Sequence, residues 1–321
     1  MFVNYYANPR FHSSLNVAVA RLILGITLLW KIVSYDWKAI SSWPDGTPTA
    51  APNKTIEAFH VFHIEILHDQ LHLLSWLAII FLVCFIIGYQ LKWSSFLSSM
   101  IVFYLMANVY FFNSVGETET VFIVIYFVLL IGLYDEHDML TIDALREAGE
   151  NKRSRLEGWY SDATSHTFPQ LKWALVIFST LYFMPGLAKL LTGPGHKWVQ
   201  PETLARFITH RSEFYTSTEV VLVPWIMEYD IFLFGMAFGT IFLQIGFLLA
   251  VLLRRNISFF ALGLIGMHIM IALTMQILFI MNIILILCFV DWERAYQTFR
   301  NHKEQERYFD RLWFGSSEYR E

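Results

Sequence analysis

One long apolar run constrains the fold of this chain more than any other feature. Residues 257–292 form a 36-residue stretch whose only charged residue is Asp291. As a single straight helix this stretch would extend about 54 Å, whereas the hydrocarbon core of a bilayer is about 30 Å thick. We therefore expect two helices, separated by a turn near residues 274–276.

Six further segments of membrane-crossing length precede this run. Apolar residues make up 56% of the 321 residues, more than a soluble core can bury. With a window of about 20 residues, the predicted spans are 14–33, 71–90, 93–112, 119–135, 172–191, 231–253, 257–274 and 277–292. The sequence thus predicts an all-α, polytopic transmembrane bundle of about eight spans in a cell membrane, surrounded by lipid. No basic stripe suggests nucleic acid as a partner.

The distribution of basic residues predicts the orientation of these spans. With eight spans, fifteen Lys and Arg residues fall on one side of the membrane and five on the other. Because Lys and Arg accumulate in cytoplasmic loops, both termini are predicted to be cytoplasmic. Residues 1–292 then form the transmembrane domain, with long outer segments at 34–70 and 192–230. Residues 293–321 are predicted to form a cytoplasmic amphipathic tail.

A lysine within an apolar segment is the strongest functional signal. Lys189 ends the sequence Tyr182-Phe-Met-Pro-Gly-Leu-Ala-Lys, and Trp198 follows nine residues later. A charge within a bilayer is costly, so it is usually kept for a function or a partner. At helical spacing Tyr182, Gly186 and Lys189 share a face, where Gly186 would leave room beside the amine. The alternative is that Lys189 extends to the outer interface with no catalytic role.

Several separated motifs together resemble one family of membrane proteins. They are Ala20-Arg21-Leu-Ile-Leu-Gly25, Leu140-Thr-Ile-Asp143-Ala-Leu, Tyr182 to Leu190 with Trp198, and Met267-His268 through Phe289-Val290-Asp291. On these motifs the chain is identified as a member of the horizontally transferred transmembrane domain family, the membrane core shared with vitamin K-dependent gamma-carboxylase. The resemblance implies that Lys189 is the base that deprotonates a reduced quinone, at the outer side of the membrane. It also favours a site role for His268.

Other polar residues are candidates for the same site. His60 and His63 lie in the first outer segment, where they could contact a substrate or simply face water. No His-Glu-x-x-His pattern is present, so no metal site is predicted. Arg21 lies about two turns inside the first span, where it either contacts substrate or reaches the cytoplasmic interface. The remaining intramembrane polar groups are expected to form hydrogen bonds between helices; they are Asn108, Gln244, Gln276 and Asn282.

These features support three functional hypotheses. The first is a carboxylase-like membrane enzyme that acts at the outer face on a quinol, a lipid or a small exported peptide. Its catalytic residues would be Lys189 and His268, and a reduced quinone would be its cofactor. The second is a non-catalytic accessory protein that works with a small soluble partner to mature or export a secreted peptide. The third is a transporter, although no inverted repeat or pair of broken helices is evident.

Overall fold

A computed structural model describes residues 14–42, 67, 69–112, 118–133, 140–142, 169–191, 195–215, 222–277, 279–292, 295–296 and 298–299. Within these ranges the protein is all-α. The helices are α1 (Ser14–Val33), α2 (Trp37–Ser41), α3 (Leu71–Ile87), α4 (Leu91–Phe112), α5 (Thr118–Gly132), α6 (Pro169–Leu191), α7 (Pro201–Tyr215), α8 (Leu222–Glu228), α9 (Asp230–Leu253), α10 (Ile257–Met275) and α11 (Ile280–Leu287).

Four of the helices are long and apolar enough to cross a membrane. They contain the segments Leu15–Val33, Trp173–Leu191, Asp230–Leu253 and Ile257–Met275, and α3 and α5 are shorter apolar helices. Many large apolar side chains are exposed on the outside of the bundle, including Ile231 and Leu253 at 72% and 70% exposure. In water this surface would be unfavourable, whereas lipid accommodates it. The chain is therefore a membrane protein.

The long apolar run at residues 257–292 folds back at the predicted place. Helix α10 ends at Met275, and Gln276 adopts a left-handed conformation with φ of 54°. Helix α11 begins at Ile280 but has only eight residues, equivalent to about 12 Å. Helix α11 is thus much shorter than the transmembrane span that the sequence predicted at residues 277–292. Three successive backbone bonds from residues 288–290 to the third preceding residue tighten the chain after it.

Most of the helices share one large hydrophobic core, and a smaller apolar cluster of Ile208, Ile226 and Leu233 joins α7, α8 and α9. Helix α1 packs against α3 and α5 in the N-terminal part, and α6 pairs extensively with α9 in the C-terminal part. Aromatic rings connect the two parts: Phe178 of α6 stacks on Phe289 at 5.7 Å, and Phe127 of α5 meets the edge of the same ring. This packing places α5, α6, α9, α10 and α11 around a common interior space.

Inside the bundle, Arg21 connects two backbone segments through hydrogen bonds. Its side chain is fully buried within the bundle. Its guanidinium donates hydrogen bonds to the carbonyl oxygens of Phe85 at 3.0 Å, Leu140 at 3.1 Å and Ile86. The first and last of these carbonyls lie in the final turn of α3, where helix geometry leaves acceptors unused. Arg21 therefore ties the end of α3 to the segment at residues 140–142.

Candidate functional site

A cavity of about 410 Å³ lies between the helices of the C-terminal part and α5. Its wall is mostly apolar with a small number of polar side chains, which is the usual composition of a ligand pocket. The lining residues are Thr120, Ile123, Leu181, Tyr182, Pro185, Lys189, Trp198, Leu204, Phe207, Ala237, Thr240, Gln244, Met267, His268, Ile271, Met275, Phe279 and Asn282. Four of the site residues predicted from the sequence are in this wall: Tyr182, Lys189, Trp198 and His268.

Lys189 points into the cavity and is held there by neutral groups. Its Nζ donates a hydrogen bond to Oε1 of Gln244 on α9 at 2.8 Å. It also lies 5.7 Å from the centroid of the Trp198 ring, within the range of a cation–π contact. In the part of the chain that the structure describes, no carboxylate pairs with this amine. We refer to Lys189, Gln244 and Trp198 as the lysine site.

Gly186 has a different role from the one expected. It is buried, and a Cβ atom at this position would lie 2.9 Å from Cβ of Gln244 and 3.0 Å from Cγ1 of Ile245. The glycine therefore allows α9 to approach α6 closely, and it does not line the cavity. This close approach brings Gln244 within hydrogen-bond distance of Lys189. Pro185, one residue earlier, lies within the continuous helix α6 and contributes to the cavity wall.

A second set of polar side chains lies about two helical turns before Lys189 on α6. The hydroxyl of Tyr182 and Nε2 of His268 are joined by a hydrogen bond of 2.8 Å. Both side chains are buried, and the rings of Phe178 and Phe247 pack edge-on against the tyrosine. His268 is only 3% exposed, and its Nδ1 has no hydrogen-bond partner among the described residues.

Two more polar side chains extend this group towards α5. Thr120 donates a hydrogen bond to Oδ1 of Asn282 at 2.9 Å, and both side chains line the same cavity as Tyr182 and His268. We refer to Thr120, Tyr182, His268 and Asn282 as the histidine site. Its members come from four helices, so it forms only when the bundle is assembled.

The lysine site and the histidine site lie at different levels of one cavity. Lys189 and Tyr182 are seven residues apart on α6, which corresponds to about 10 Å along the helix axis. Pro185 lies between these two residues on α6, and most of the cavity wall is apolar, including Met267 and Ile271. The cavity thus offers polar contacts at two levels of a mainly apolar wall.

Trp198 covers the cavity beside Lys189. It belongs to the short 3₁₀ segment Gly195–Val199, and its ring stacks on Phe207 of α7 with 5.3 Å between ring centroids. Leu204 of α7 joins them in the cavity wall. Helix α7 begins at Pro201, a residue suited to the first helical position. This arrangement places an aromatic wall over the lysine site.

The remaining sequence candidates are located elsewhere. Arg21 is absent from the cavity wall and binds backbone carbonyls, as described above. His60 and His63 lie outside the described residues. Within the described ranges, no group of three or more His, Cys, Asp or Glu residues could hold a metal ion.

Some cavity residues were not expected in a site. Gln244 and Asn282 stood out in the sequence only as polar groups in apolar spans, for which bonds between helices were expected. Both do make such bonds, to Lys189 and Thr120 respectively, and both line the cavity. Thr120 gave no signal, because a threonine near a helix start is common. Gln244 and Asn282 thus shared one signal in the sequence, a polar amide side chain within a predicted transmembrane span.

The arrangement suits proton transfer and ligand binding in an apolar interior. An amine with a neutral acceptor and an aromatic face can take up a proton from a bound hydroxyl group. The Tyr182–His268 pair can donate or accept hydrogen bonds at the other level. No protein-family model matches this chain, and no curated protein or solved structure matches it.

Proposed function

We propose that this protein is a membrane enzyme of the vitamin K-dependent carboxylase-like family, in which Lys189 acts as a base on a quinol, a lipid or a small exported peptide. The observation that carries the proposal is the placement of Lys189 Nζ in the wall of a mainly apolar cavity, 2.8 Å from an amide oxygen. Among the described residues no acid pairs with it. A counterion in that position would hold the amine as an ammonium ion, which cannot accept a proton.

The proposed step is the transfer of one proton. The lone pair of Lys189 Nζ accepts the proton of a substrate O–H group, which forms an ammonium ion and an oxyanion. The amide oxygen of Gln244 and the face of Trp198 both stabilise the ammonium ion once it forms. The oxyanion then lies next to the new cation, so the product charges are paired within the cavity. General base catalysis of this kind accelerates reactions by about 10²–10⁴-fold.

The cavity wall favours a quinol or a lipid over a peptide among the proposed substrates. Most of its side chains are apolar, including Leu181, Met267 and Ile271, whereas a peptide backbone would bring several polar groups into the interior. A reduced quinone has acidic hydroxyl groups on an apolar ring, which agrees with this wall. The family resemblance leads to the same class of cofactor.

We further propose eight spans, with both termini in the cytoplasm and the lysine site near the outer face of a cell membrane. The excess of Lys and Arg residues on one side supports this orientation. An exposed aromatic cluster at the α8–α9 junction agrees with it, since Trp and Tyr collect at membrane interfaces. Trp225 and Phe232 pack with 4.7 Å between ring centroids, and Tyr229 contacts both.

The proposal can be tested on purified protein in lipid nanodiscs with Lys189→Met and a matched control, Lys197→Met. Lys197 has an exposed side chain in the 3₁₀ segment that follows α6, and it does not line the cavity. Bound small molecules are extracted and identified by mass spectrometry. We expect wild type and Lys197→Met to retain a compound with an acidic hydroxyl group, and Lys189→Met to lose it.

The turnover of that compound gives the second measurement. We expect Lys189→Met to lower the rate by at least about 10²-fold, the smallest effect usual for a general base, and Lys197→Met to leave it unchanged. Equal turnover in all three proteins would show that Lys189 is not the base. Retention of the compound without turnover by wild type would instead favour the accessory protein for peptide maturation.

A further inference from the structure

The hydrogen bonds of the histidine site indicate which nitrogen of His268 carries its proton. The hydroxyl of Tyr182 lies 2.8 Å from Nε2 of His268. We assign the phenol O–H as the donor in this bond, since a phenol is a stronger hydrogen-bond donor than acceptor. A neutral imidazole that accepts at Nε2 carries its proton on Nδ1. The network therefore assigns a donor, Nδ1–H, to the ring atom that has no protein partner among the described residues.

A buried donor without an acceptor destabilises a folded protein, so its presence needs an explanation. His268 is 97% buried yet belongs to the cavity wall, in a ring pair with Phe279 at 5.1 Å. We propose that His268 forms a second ligand contact, in which Nδ1–H donates to a carbonyl or similar acceptor oxygen of the molecule bound at Lys189.

This inference rests on the proposed function, because both use the same cavity, and it narrows the class of ligand. Lys189 and Tyr182 are about 10 Å apart along the axis of α6, and most of the cavity wall is apolar. The matching ligand has an acidic hydroxyl group at one end, an apolar ring or short chain in the middle and an acceptor oxygen at the other end. Tyr182 is then a positioning residue, because its hydroxyl sets which nitrogen of His268 carries the proton.

Two probe compounds separate the second contact from the first. The first is para-hydroxyphenyl pentyl ketone, which has a phenol group at one end of a benzene ring and a carbonyl group at the other. The second is para-hexylphenol, which has the same chain but no carbonyl group. Binding of each compound to the full chain in nanodiscs is measured by equilibrium dialysis, with empty nanodiscs subtracted. The infrared stretch of the isotope-labelled carbonyl reports directly on a hydrogen bond to it.

Two substitutions of His268 provide matched variants. His268→Asn keeps an N–H group near the position of Nδ1 but loses the contact at Nε2. His268→Gln keeps a polar group near the position of Nε2, within reach of Tyr182, but removes the donor at Nδ1. Each variant is tested only after gel filtration shows that it is folded and monodisperse.

We expect wild type and His268→Asn to bind the ketone about two- to tenfold more tightly than the phenol, the effect of one neutral hydrogen bond. His268→Gln should bind the two compounds equally. The carbonyl stretch should shift to lower wavenumber in wild type and in His268→Asn alone. A ketone preference and a carbonyl shift that persist in His268→Gln would overturn the second contact.

The binding measurements test the role of Lys189 and the second contact at His268 independently of each other. Equal binding of both compounds to wild type, weakened by Lys189→Met, would contradict the second contact and leave the proposed function in place. A ketone preference that depends on His268, with binding unaffected by Lys189→Met, would support the second contact and contradict the role of Lys189. Failure of wild type to bind either compound would contradict the ligand class inferred from the two sites.

Discussion

The amine of Lys189 is hydrogen-bonded to the side-chain oxygen of Gln244 at 2.8 Å, across the contact between α6 and α9. The partner of this intramembrane lysine is therefore an amide and not a carboxylate. An amide oxygen stabilises an ammonium ion less than a carboxylate does. The lysine thus remains able to exchange a proton, which a tight ion pair in an apolar interior would prevent.

Replacing Gln244 by glutamate tests this relationship. In Gln244→Glu a carboxylate next to Lys189 stabilises the ammonium form, so we expect the amine to react more slowly. The measurement is the rate at which a membrane-permeant amine reagent modifies Lys189, followed by peptide mass spectrometry. Lys197, which is exposed, serves as the internal control and should react at the same rate in both proteins. An unchanged rate at Lys189 would mean that Gln244 does not govern its protonation.

The close packing of α6 and α9 predicts a large effect of one methyl group. In Gly186→Ala the new Cβ would lie 2.9 Å from Gln244 Cβ and 3.0 Å from Ile245 Cγ1, so the helices must separate. We expect a loss of about 1–3 kcal/mol, as is usual for overpacking. Thermal unfolding in detergent measures the difference.

Gly235→Ala is the matched control for Gly186→Ala. Gly235 lies on α9, and a Cβ atom there meets nothing within 4 Å. Alanine favours a helix by up to about 1 kcal/mol relative to glycine, so Gly235→Ala should be neutral or stabilising. Equal unfolding temperatures for the two variants would show that Gly186 is not needed for the helix contact.

Arg21 is predicted to matter for stability and not for ligand binding. Arg21→Met removes a hydrogen-bond donor from the carbonyl groups of Phe85, Ile86 and Leu140, of which Phe85 keeps the N–H of Gly88 as a partner. Unsatisfied buried groups cost about 1–3 kcal/mol each, so the midpoint of thermal unfolding should fall clearly. Arg255→Met, at an exposed position, is the control. If Arg21→Met unfolded like wild type but lost affinity for cavity ligands, Arg21 would belong to the site.

The proposed orientation predicts which positions are accessible from outside the cell. Gln200 follows the 3₁₀ segment next to the lysine site, whereas Arg255 lies in the turn between α9 and α10. Both side chains are exposed. In a background without Cys84 and Cys288, we expect Gln200→Cys to react with a membrane-impermeant maleimide on intact cells. Arg255→Cys should react only after permeabilisation, and the reverse pattern would invert the proposed topology.

The amino-acid sequence was enough to locate the apolar helices and to single out Lys189 for testing. Hydropathy depends on composition over about 20 residues, so the apolar segments and the turn after Met275 could be located without a structure. A lysine in such a segment is unusual wherever the helix lies, and Lys189 was therefore identifiable. The length of α11 could not be predicted from the sequence, because an apolar run does not show at which residue helical hydrogen bonding stops.

Which side chains contact one another depends on how the helices pack. Helix α10 is apolar around its whole circumference, so its sequence does not indicate that His268 faces Tyr182. The pair Thr120 and Asn282 is separated by 162 residues. Gly186 was expected to make space and instead closes a helix contact, because the choice depends on which neighbour packs against it. Rotation and pairing of apolar helices follow from side-chain packing and buried hydrogen bonds, which are properties of the assembled bundle.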